Sequence, residues 1–482
     1  MADVAATLEV PKGATLLDRK KRMPSWISGA IVLIALIGGL GYVGAHVAGD
    51  LGGTRLGSAW PYLLLFTALL IALGFEFVNG FHDTANAVAT VIYTHSLDPN
   101  IAVVWSGLCN LAGVLTSAGT VAFTIITLLP VELILKVSSG AGFAMVFALL
   151  IAAILWNLGT WWLGLPASST HTMTGSIIGV GVANQLMASS VSGTSGVDWA
   201  QATKVFQVLL ISPIFGFGLS FLFFLLSKLT IKYPELYEAP KDDNPPPFPI
   251  RALLFITCTL VSFFHGSNDG QKGMGLIMLI LIGTVPTAYA LNHTVSAHDI
   301  QDFLAVSHQV QSIVNTHVDR DAIMGADARQ ELTTYLQTKK LQPATMTALR
   351  ELVQDVAGSV DAYGDYRHVP ASQQTNVRND MYVTSETIRL MVKNHQGGFN
   401  SQEIAALDNY KKHVDKATRF IPSWVKVAVA LALGLGTMVG WKRIVVTVGE
   451  RIGKEHLTYA RARWPKLSRR PPSLPPTIWG CR

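Results

Sequence analysis

Apolar residues run through this chain in blocks. Those at Trp26–Val47, Pro61–Tyr93, Ile101–Leu129, Ala141–Trp162 and Val205–Leu226 each have room for a helix that crosses a bilayer, which takes about 20 residues. A further pair, Ala252–Phe264 and Leu276–Ile282, flanks a polar stretch, and Pro422–Val439 is the last spanning block. The pattern predicts an all-α polytopic membrane protein. Within it, Gly74 and Gly80 are expected as weak points of the second block, because broken helices at membrane depth survive where the freed backbone faces protein or a wet cavity. His95–Asn100 reads as a turn, Pro130 as the end of the third block, and Glu132 and Lys136 as an exposed link.

Two regions break the apolar pattern differently. Gly164-Leu165-Pro166-Ala167-Ser168-Ser169-Thr170-His171 precedes only a short apolar run, Ile177–Val182. Proline suits a first helical position, and hydroxyls satisfy orphan N–H groups, so a helix starting at Pro166 is expected, re-entrant rather than spanning. It reads either as a half-helix whose free N–H groups and positive dipole end make an anion site or as an ordinary Pro-started helix packed on its neighbours. Between Asn292 and Arg419 the chain turns polar. Ile300, Phe303, Val306, Val310 and Ile313 recur at helical spacing there, which predicts amphipathic helices in a soluble insert. Ile444–Tyr459 is amphipathic and expected to lie on the membrane surface.

Charge sets the topology. The chain of 482 residues is half hydrophobic and 14% charged, with net charge +6. The basic residues concentrate at the ends of apolar blocks, as the positive-inside rule expects, so nucleic acid is not a partner; the bilayer is. Arg19–Arg22 place a basic tail, 1–25, in the cytoplasm before an uncleaved first helix, 26–48. The remaining expected segments are a first transmembrane repeat at 61–228, a cytoplasmic Pro-rich loop at 229–250 and the start of a second repeat at 251–292. A helical insert at 293–420, on the periplasmic side, and a spanning plus a surface helix at 421–460 follow. The insert holds 13 Lys/Arg and 15 Asp/Glu, with no basic bias. The last segment, 461–482, carries six Lys/Arg, five Pro and no acid and is expected to be disordered. Three cysteines make no disulfide framework; Cys109 and Cys258 read as packing residues.

The chemistry sits where an apolar block should carry nothing ionisable. Glu76-Phe77-Val78-Asn79-Gly80-Phe81-His82-Asp83-Thr84-Ala85-Asn86 lies inside Pro61–Tyr93. A carboxylate at membrane depth costs from about 3 to more than 10 kcal/mol, so Asp83 is a functional candidate by default. A second cluster, His265-Gly266-Ser267-Asn268-Asp269-Gly270-Gln271-Lys272-Gly273, interrupts the Ala252–Ile282 stretch. Aligned on their aspartates, Gly80-Phe81-His82-Asp83 faces Gly266-Ser267-Asn268-Asp269. With the N-terminus inside and 166–182 re-entrant, the two run through the membrane in opposite senses, as in an inverted-repeat transporter with its site at the repeat interface.

These two segments, with Gly164–His171, resemble the duplicated signature of the inorganic phosphate transporter (Pit) family, and bacterial low-affinity permeases in particular. The resemblance extends from about Pro61 to Tyr459. It implies uptake of inorganic phosphate across the plasma membrane, the bacterial inner membrane, by alternating access. It also implies coupling to protons, with sodium the lesser alternative, and phosphate often carried as a divalent metal complex. The family continues with a second Pro-x-Ser-Thr-Thr-His half-helix. Here the match stops near Ala460, so the second repeat is expected to be incomplete, as from a shifted frame or truncated gene model.

Phosphate is then expected to meet Ser168, Ser169, Thr170, Asn79, Asn86, Asn268, Gln271 and Lys272. Asp83 and Asp269, which repel an anion, suit a proton, a coupling cation or a metal ion. His82, His171 and His265 titrate near physiological pH and suit proton relay or the same metal, with Glu76 beside them. No cofactor is called for, and a homo-oligomer is compatible with the chain. An intramembrane metalloenzyme is disfavoured because no His-x-x-x-His or His-Glu-x-x-His spacing occurs. The remaining alternative is a non-transporting remnant, sensor or assembly partner.

Overall fold

The computed structural model describes residues 25–451 except 52–59, 120–121, 124–128, 130, 136–138, 188–196, 198, 234–236, 238–244, 320 and 326. The tail expectation for 461–482 therefore lies outside the described residues. All regular structure among the described residues is helical. Six helices are long and apolar enough to cross a membrane: α1 (Ser25–Leu51), α2 (Trp60–Tyr93), α3 (Pro99–Thr116), α5 (Gly140–Trp162), α7 (Trp199–Thr230) and α8 (Phe248–Thr284). Two short helices, α4 (Val131–Leu135) and α9 (Pro286–Tyr289), and the 19-residue α6 (Ser169–Met187) connect them.

The insert comprises α10 (Ala297–Thr316), α11 (Ala328–Thr338), α12 (Pro343–Tyr363), α13 (Ala371–Lys393) and α14 (Ser401–Thr418). The chain then bends by 73° into α15 (Ser423–Val439), and α16 (Trp441–Val446) follows with a π-turn at Thr447–Arg451.

Helices α2, α3, α8 and α15 form the centre, and glycine lets them approach to backbone contact. A Cβ on Gly266 would sit 2.1 Å from the Asn110 carbonyl oxygen, and one on Gly113 2.0 Å from that of Phe263, so α3 and α8 touch main chain to main chain. Gly80 and Gly436 do the same for α2 and α15: a Cβ on Gly436 would lie 1.9 Å from the Phe77 oxygen. This corrects the expectation of weak points. Helix α2 runs unbroken through Gly74 and Gly80, and α8 runs unbroken for 37 residues through its polar cluster. Glycine lowers helix propensity locally, but here small residues are what close packing in a membrane needs. Asn110 Nδ2 donates to Thr437 Oγ1 at 3.0 Å and Ser106 meets Ser262 at 2.8 Å across these seams. The outer surfaces of α1 and α7 present Ile31, Ile34, Phe215, Phe221 and Leu222 exposed, as lipid-facing helices do.

Other boundaries also differ from the sequence reading. Helix α3 in the third apolar block ends at Thr116, where Ser117 caps it and its hydroxyl donates to Val114 O; Ala122 and Phe123 are helical again, and 124–128 lie outside the described residues. Helix α6 starts at Ser169, not Pro166, and Ser168 Oγ accepts from His171 N at 3.4 Å in the N-cap manner. Ile444, Val445 and Val446, assigned to a surface helix, are buried against α2, and Tyr93 OH donates to Glu450 Oε1 at 2.8 Å. Their apolar faces found a protein partner instead of lipid.

The insert has its own core. Ile300, Phe303, Leu304, Val310 and Val314 of α10 meet Leu349, Val353, Leu407 and Tyr410. The buried stripe is rotated from the sequence reading, with Leu304 and Val314 inside and Ile313 half-buried. Asp299 in the first turn of α10 lies 2.7 Å from Lys416 of α14. The Lys416 ammonium and then the Ser296 hydroxyl hold its carboxyl down at about 2. A carboxylate depressed on folding contributes stability that is complete above its unfolded pKa of about 3.9 and is lost as pH falls through the folded value. Asp299→Asn is therefore expected to flatten the acid limb of unfolding below about pH 4. Circular dichroism followed down to about pH 2 checks this; an unchanged limb counts against the contact.

Candidate functional site

The polar positions of α2 and α8 face each other. His265 Nε2 lies 2.9 Å from Asp83 Oδ1 and 3.4 Å from Asp269 Oδ2, one nitrogen between two carboxylates. Asp269 Oδ1 is 2.7 Å from Lys272 Nζ one turn along α8. Helix α6 completes the cluster from its N-terminus. Ser169 Oγ donates to Asp269 Oδ2 at 3.3 Å, and Lys272 Nζ donates to Thr170 Oγ1. Asn268 Nδ2 reaches Asp269 Oδ1 at 3.3 Å. Asp83, Asp269 and Lys272 are 7%, 5% and 2% exposed.

Glu76 lies two turns before Asp83 on α2 and is fully buried. A Cβ on Gly273 would fall 2.4 Å from its Cγ, so glycine in α8 makes room for this carboxylate. Asn79 Nδ2 donates to Glu76 Oε2 at 3.5 Å, while Glu76 Oε1, Asn79 Oδ1 and Asp83 Oδ2 have no hydrogen-bond partner among the described residues. Buried polar atoms without partners are costly, and three of them belong to this stretch of α2. The cluster comprises three carboxyl groups, one ammonium and one imidazole. Asp83, His265 and Asp269 offer ligand atoms within 4.8 Å of one another, a set of one imidazole and two carboxylates that fits a divalent cation.

The other candidates fall outside this knot. His82 Nε2 is 2.9 Å from the Asn157 carbonyl of α5 and its Nδ1 accepts from Ala167 N at 3.4 Å, which fits the Nε2–H tautomer. It ties α2 to the Gly164–Ser168 break and does not touch the carboxylates. Gln271 donates to Ser267 O, one turn back on its own helix. Asn86 is exposed on α2. Ser168 and His171 line an open cleft of about 900 Å³ between α5 and α6, with Trp156, Thr172 and Ser176.

Several contributors escaped the sequence reading. Asn157 is fully buried, with both amide atoms unpartnered among the described residues; the signal available was a single Asn in an apolar block. Arg443 Nη1 donates to Trp162 O at 2.7 Å, and its guanidinium stands 4.9 and 4.6 Å from the Trp161 and Trp162 rings. Trp161 Nε1 donates to Gly440 O at 2.7 Å, and its ring lies 5.1 Å from Phe81. Helix α16 thus clamps the end of α5 just before the break that positions Ser169.

The chain that carries this intramembrane knot has relatives among known proteins. Residues 79–468 match the phosphate transporter family. This chain belongs to that family. The low-affinity inorganic phosphate transporter PitA of Escherichia coli (strain K12) is 38% identical over 420 residues, covering 83% of this chain and 82% of the relative. PitB of the same strain is 37% identical over 415 residues with the same coverage. The low-affinity inorganic phosphate transporter of Buchnera aphidicola subsp. Acyrthosiphon pisum (strain APS) is 36% identical over 416 residues. No solved structure matches. The chain is a multi-pass membrane transporter and not an enzyme, so the metalloenzyme reading is set aside.

In the transporter, Arg443→Ala deletes a solvent-exposed charged hydrogen bond and two ring contacts, the latter worth about 0.5–1 kcal/mol each at an exposed site. It is expected to slow phosphate uptake while leaving the amount of folded protein unchanged. Initial uptake rates normalised to membrane expression check this, and a normal rate would show the clamp to be dispensable.

Proposed function

We propose that the chain takes up inorganic phosphate across the plasma membrane by cation-coupled symport, with protons as the coupling ion, through alternating access. One observation carries this reading: the buried site gathers the carboxyl groups of Glu76, Asp83 and Asp269 around Lys272 and the His265 imidazole. An anion enters such a site only with added positive charge. Protons on the carboxylates supply it, and so does a divalent metal travelling with phosphate between Asp83, His265 and Asp269. Lys272 is held by Asp269 and Thr170. Once a cation occupies the aspartates, Lys272, Ser169 and Thr170 are released to donate to phosphate oxygens at the start of α6. Ser168 just before α6, Asn79 on α2, and Asn268 and Gln271 on α8 supply further neutral donors. Asn86, being exposed, serves only in a state that turns that face of α2 inward.

The paired packing supports an inverted repeat. Gly80 meets α15 and Gly266 meets α3, so the two aligned glycines each seat a helix from the opposite half of the chain. Such a frame has two arrangements of equal kind, which alternating access requires.

The test is uptake of radiolabelled phosphate into cells lacking other phosphate systems. Accumulation that a protonophore abolishes and that sodium replacement leaves unchanged is the expected result. Accumulation that needs sodium and survives the protonophore would overturn proton coupling; none at all would overturn transport.

A further inference from the structure

Arg378 of α13 is buried at the joint between insert and membrane bundle, with 5% of its surface exposed. Its Nη1 donates to Ile134 O and to Asn379 Oδ1, each at 3.2 Å, and its guanidinium stands 5.3 Å from the Tyr382 ring. Its Nε has no hydrogen-bond partner, and no carboxylate pairs with it among the described residues. The nearby acids are committed elsewhere. Glu386 lies 2.6 Å from both Arg389 and Arg419, and Asp415 lies 3.1 Å from Arg419 Nε and binds Lys411. Arginine does not shed its proton to escape burial. Burial, with Arg419 adding to it, brings Arg378 down to about 10, so the group stays charged at neutral pH.

Beside it lies a cavity of about 20 Å³, lined by Phe123, Leu279, Ile282, Arg378, Tyr382, Thr418 and Arg419. That volume admits one particle of about the size of a water molecule. The polar side chains of its wall are donors or cations. The Thr418 hydroxyl is spent on Val414 O, whereas the Tyr382 hydroxyl makes no hydrogen bond among the described residues. A guanidinium and a phenol hydroxyl, with no ion pair to the one and no hydrogen bond to the other among the described residues, thus border one small chamber.

We propose that this chamber binds a single chloride ion, held by Arg378, Arg419 and the Tyr382 hydroxyl, as the counter-charge on which the insert seats against the membrane bundle. A tetrahedral phosphate is too large for it, which separates this site from the transport site. Tyr382 packs into the cores of both insert and bundle, so anion binding there bears on how firmly the two hold together.

Thermal unfolding of the purified full chain in detergent tests this, in sodium chloride against sodium gluconate at equal ionic strength, with bromide as a second halide. The unfolding temperature is expected to rise saturably with chloride and with bromide. Tyr382→Phe is expected to need about tenfold more chloride for the same rise, the loss of one hydrogen bond to a charged group. Arg378→Met is expected to show no halide response, and Tyr382→Phe keeps the test open should that variant fail to fold. Equal unfolding temperatures in chloride and gluconate, an unchanged halide midpoint in Tyr382→Phe, or stabilisation by phosphate and not by halide each overturn the proposal.

Discussion

Asp269→Asn is expected to abolish phosphate uptake and to lower stability at the same time. Asp269 is the residue on which the site converges: Lys272 at 2.7 Å, His265 at 3.4 Å, Ser169 at 3.3 Å and Asn268 at 3.3 Å all address its two oxygens. Removing its charge leaves Lys272, 2% exposed, as a buried cation without its partner. Breaking a buried pair from one side costs about 3–5 kcal/mol. That is a hundredfold or more in any equilibrium that depends on the site, since about 1.4 kcal/mol is tenfold. The double variant Asp269→Asn with Lys272→Met separates the two effects. It removes both charges, so stability is expected to recover in large part while uptake stays at background. If uptake recovered with stability, Asp269 would be a structural residue only.

Gly266→Ala is expected to be among the most damaging single methyl additions in the chain. The new Cβ would be placed 2.1 Å from the Asn110 carbonyl oxygen, and neither helix backbone has room to yield without parting α3 from α8. The Ser106–Ser262 and Trp105–Thr259 hydrogen bonds, each 2.8 Å, cross the same seam and would lengthen with it. Overpacking costs typically about 1–3 kcal/mol and more where backbone must move; a loss of 3 kcal/mol or more is the expectation here. Gly175→Ala in α6 is the control, because a Cβ there meets nothing within 4 Å. Thermal unfolding of both purified variants decides it, and equal stability would mean the seam is looser than these contacts require.

The site was legible because charge in an apolar block is expensive. Asp83, Glu76, Asp269 and Lys272 stand out from their surroundings without any structure, and the structure places them in one knot. Their local consequences were less readable. Gly74 and Gly80 looked like helix breaks because propensity is a local quantity, while the contact Gly80 makes comes from a helix hundreds of residues away. His82 looked like a member of the knot by adjacency to Asp83. On a helix, neighbours i and i+1 point about 100° apart, and His82 accordingly faces Asn157 and Ala167. The third block is apolar to Leu129 but its first helix, α3, ends at Thr116, since apolar sequence measures burial and not where a helix is capped. Arg378 was invisible because thirteen basic residues among fifteen acidic ones in the insert region carry no sign of which arginine lacks a partner.

The most direct measurement is uptake of radiolabelled phosphate by wild type and Asp83→Asn in cells without other phosphate systems, at matched membrane expression. Asparagine keeps the shape of Asp83, whose Oδ2 has no hydrogen-bond partner among the described residues, and removes only its charge and its capacity to hold a proton or cation. Wild type is expected to accumulate phosphate and Asp83→Asn to remain at the background of untransformed cells. Accumulation by Asp83→Asn at the wild-type rate would contradict the account, because the paired carboxylates would then have no part in moving phosphate.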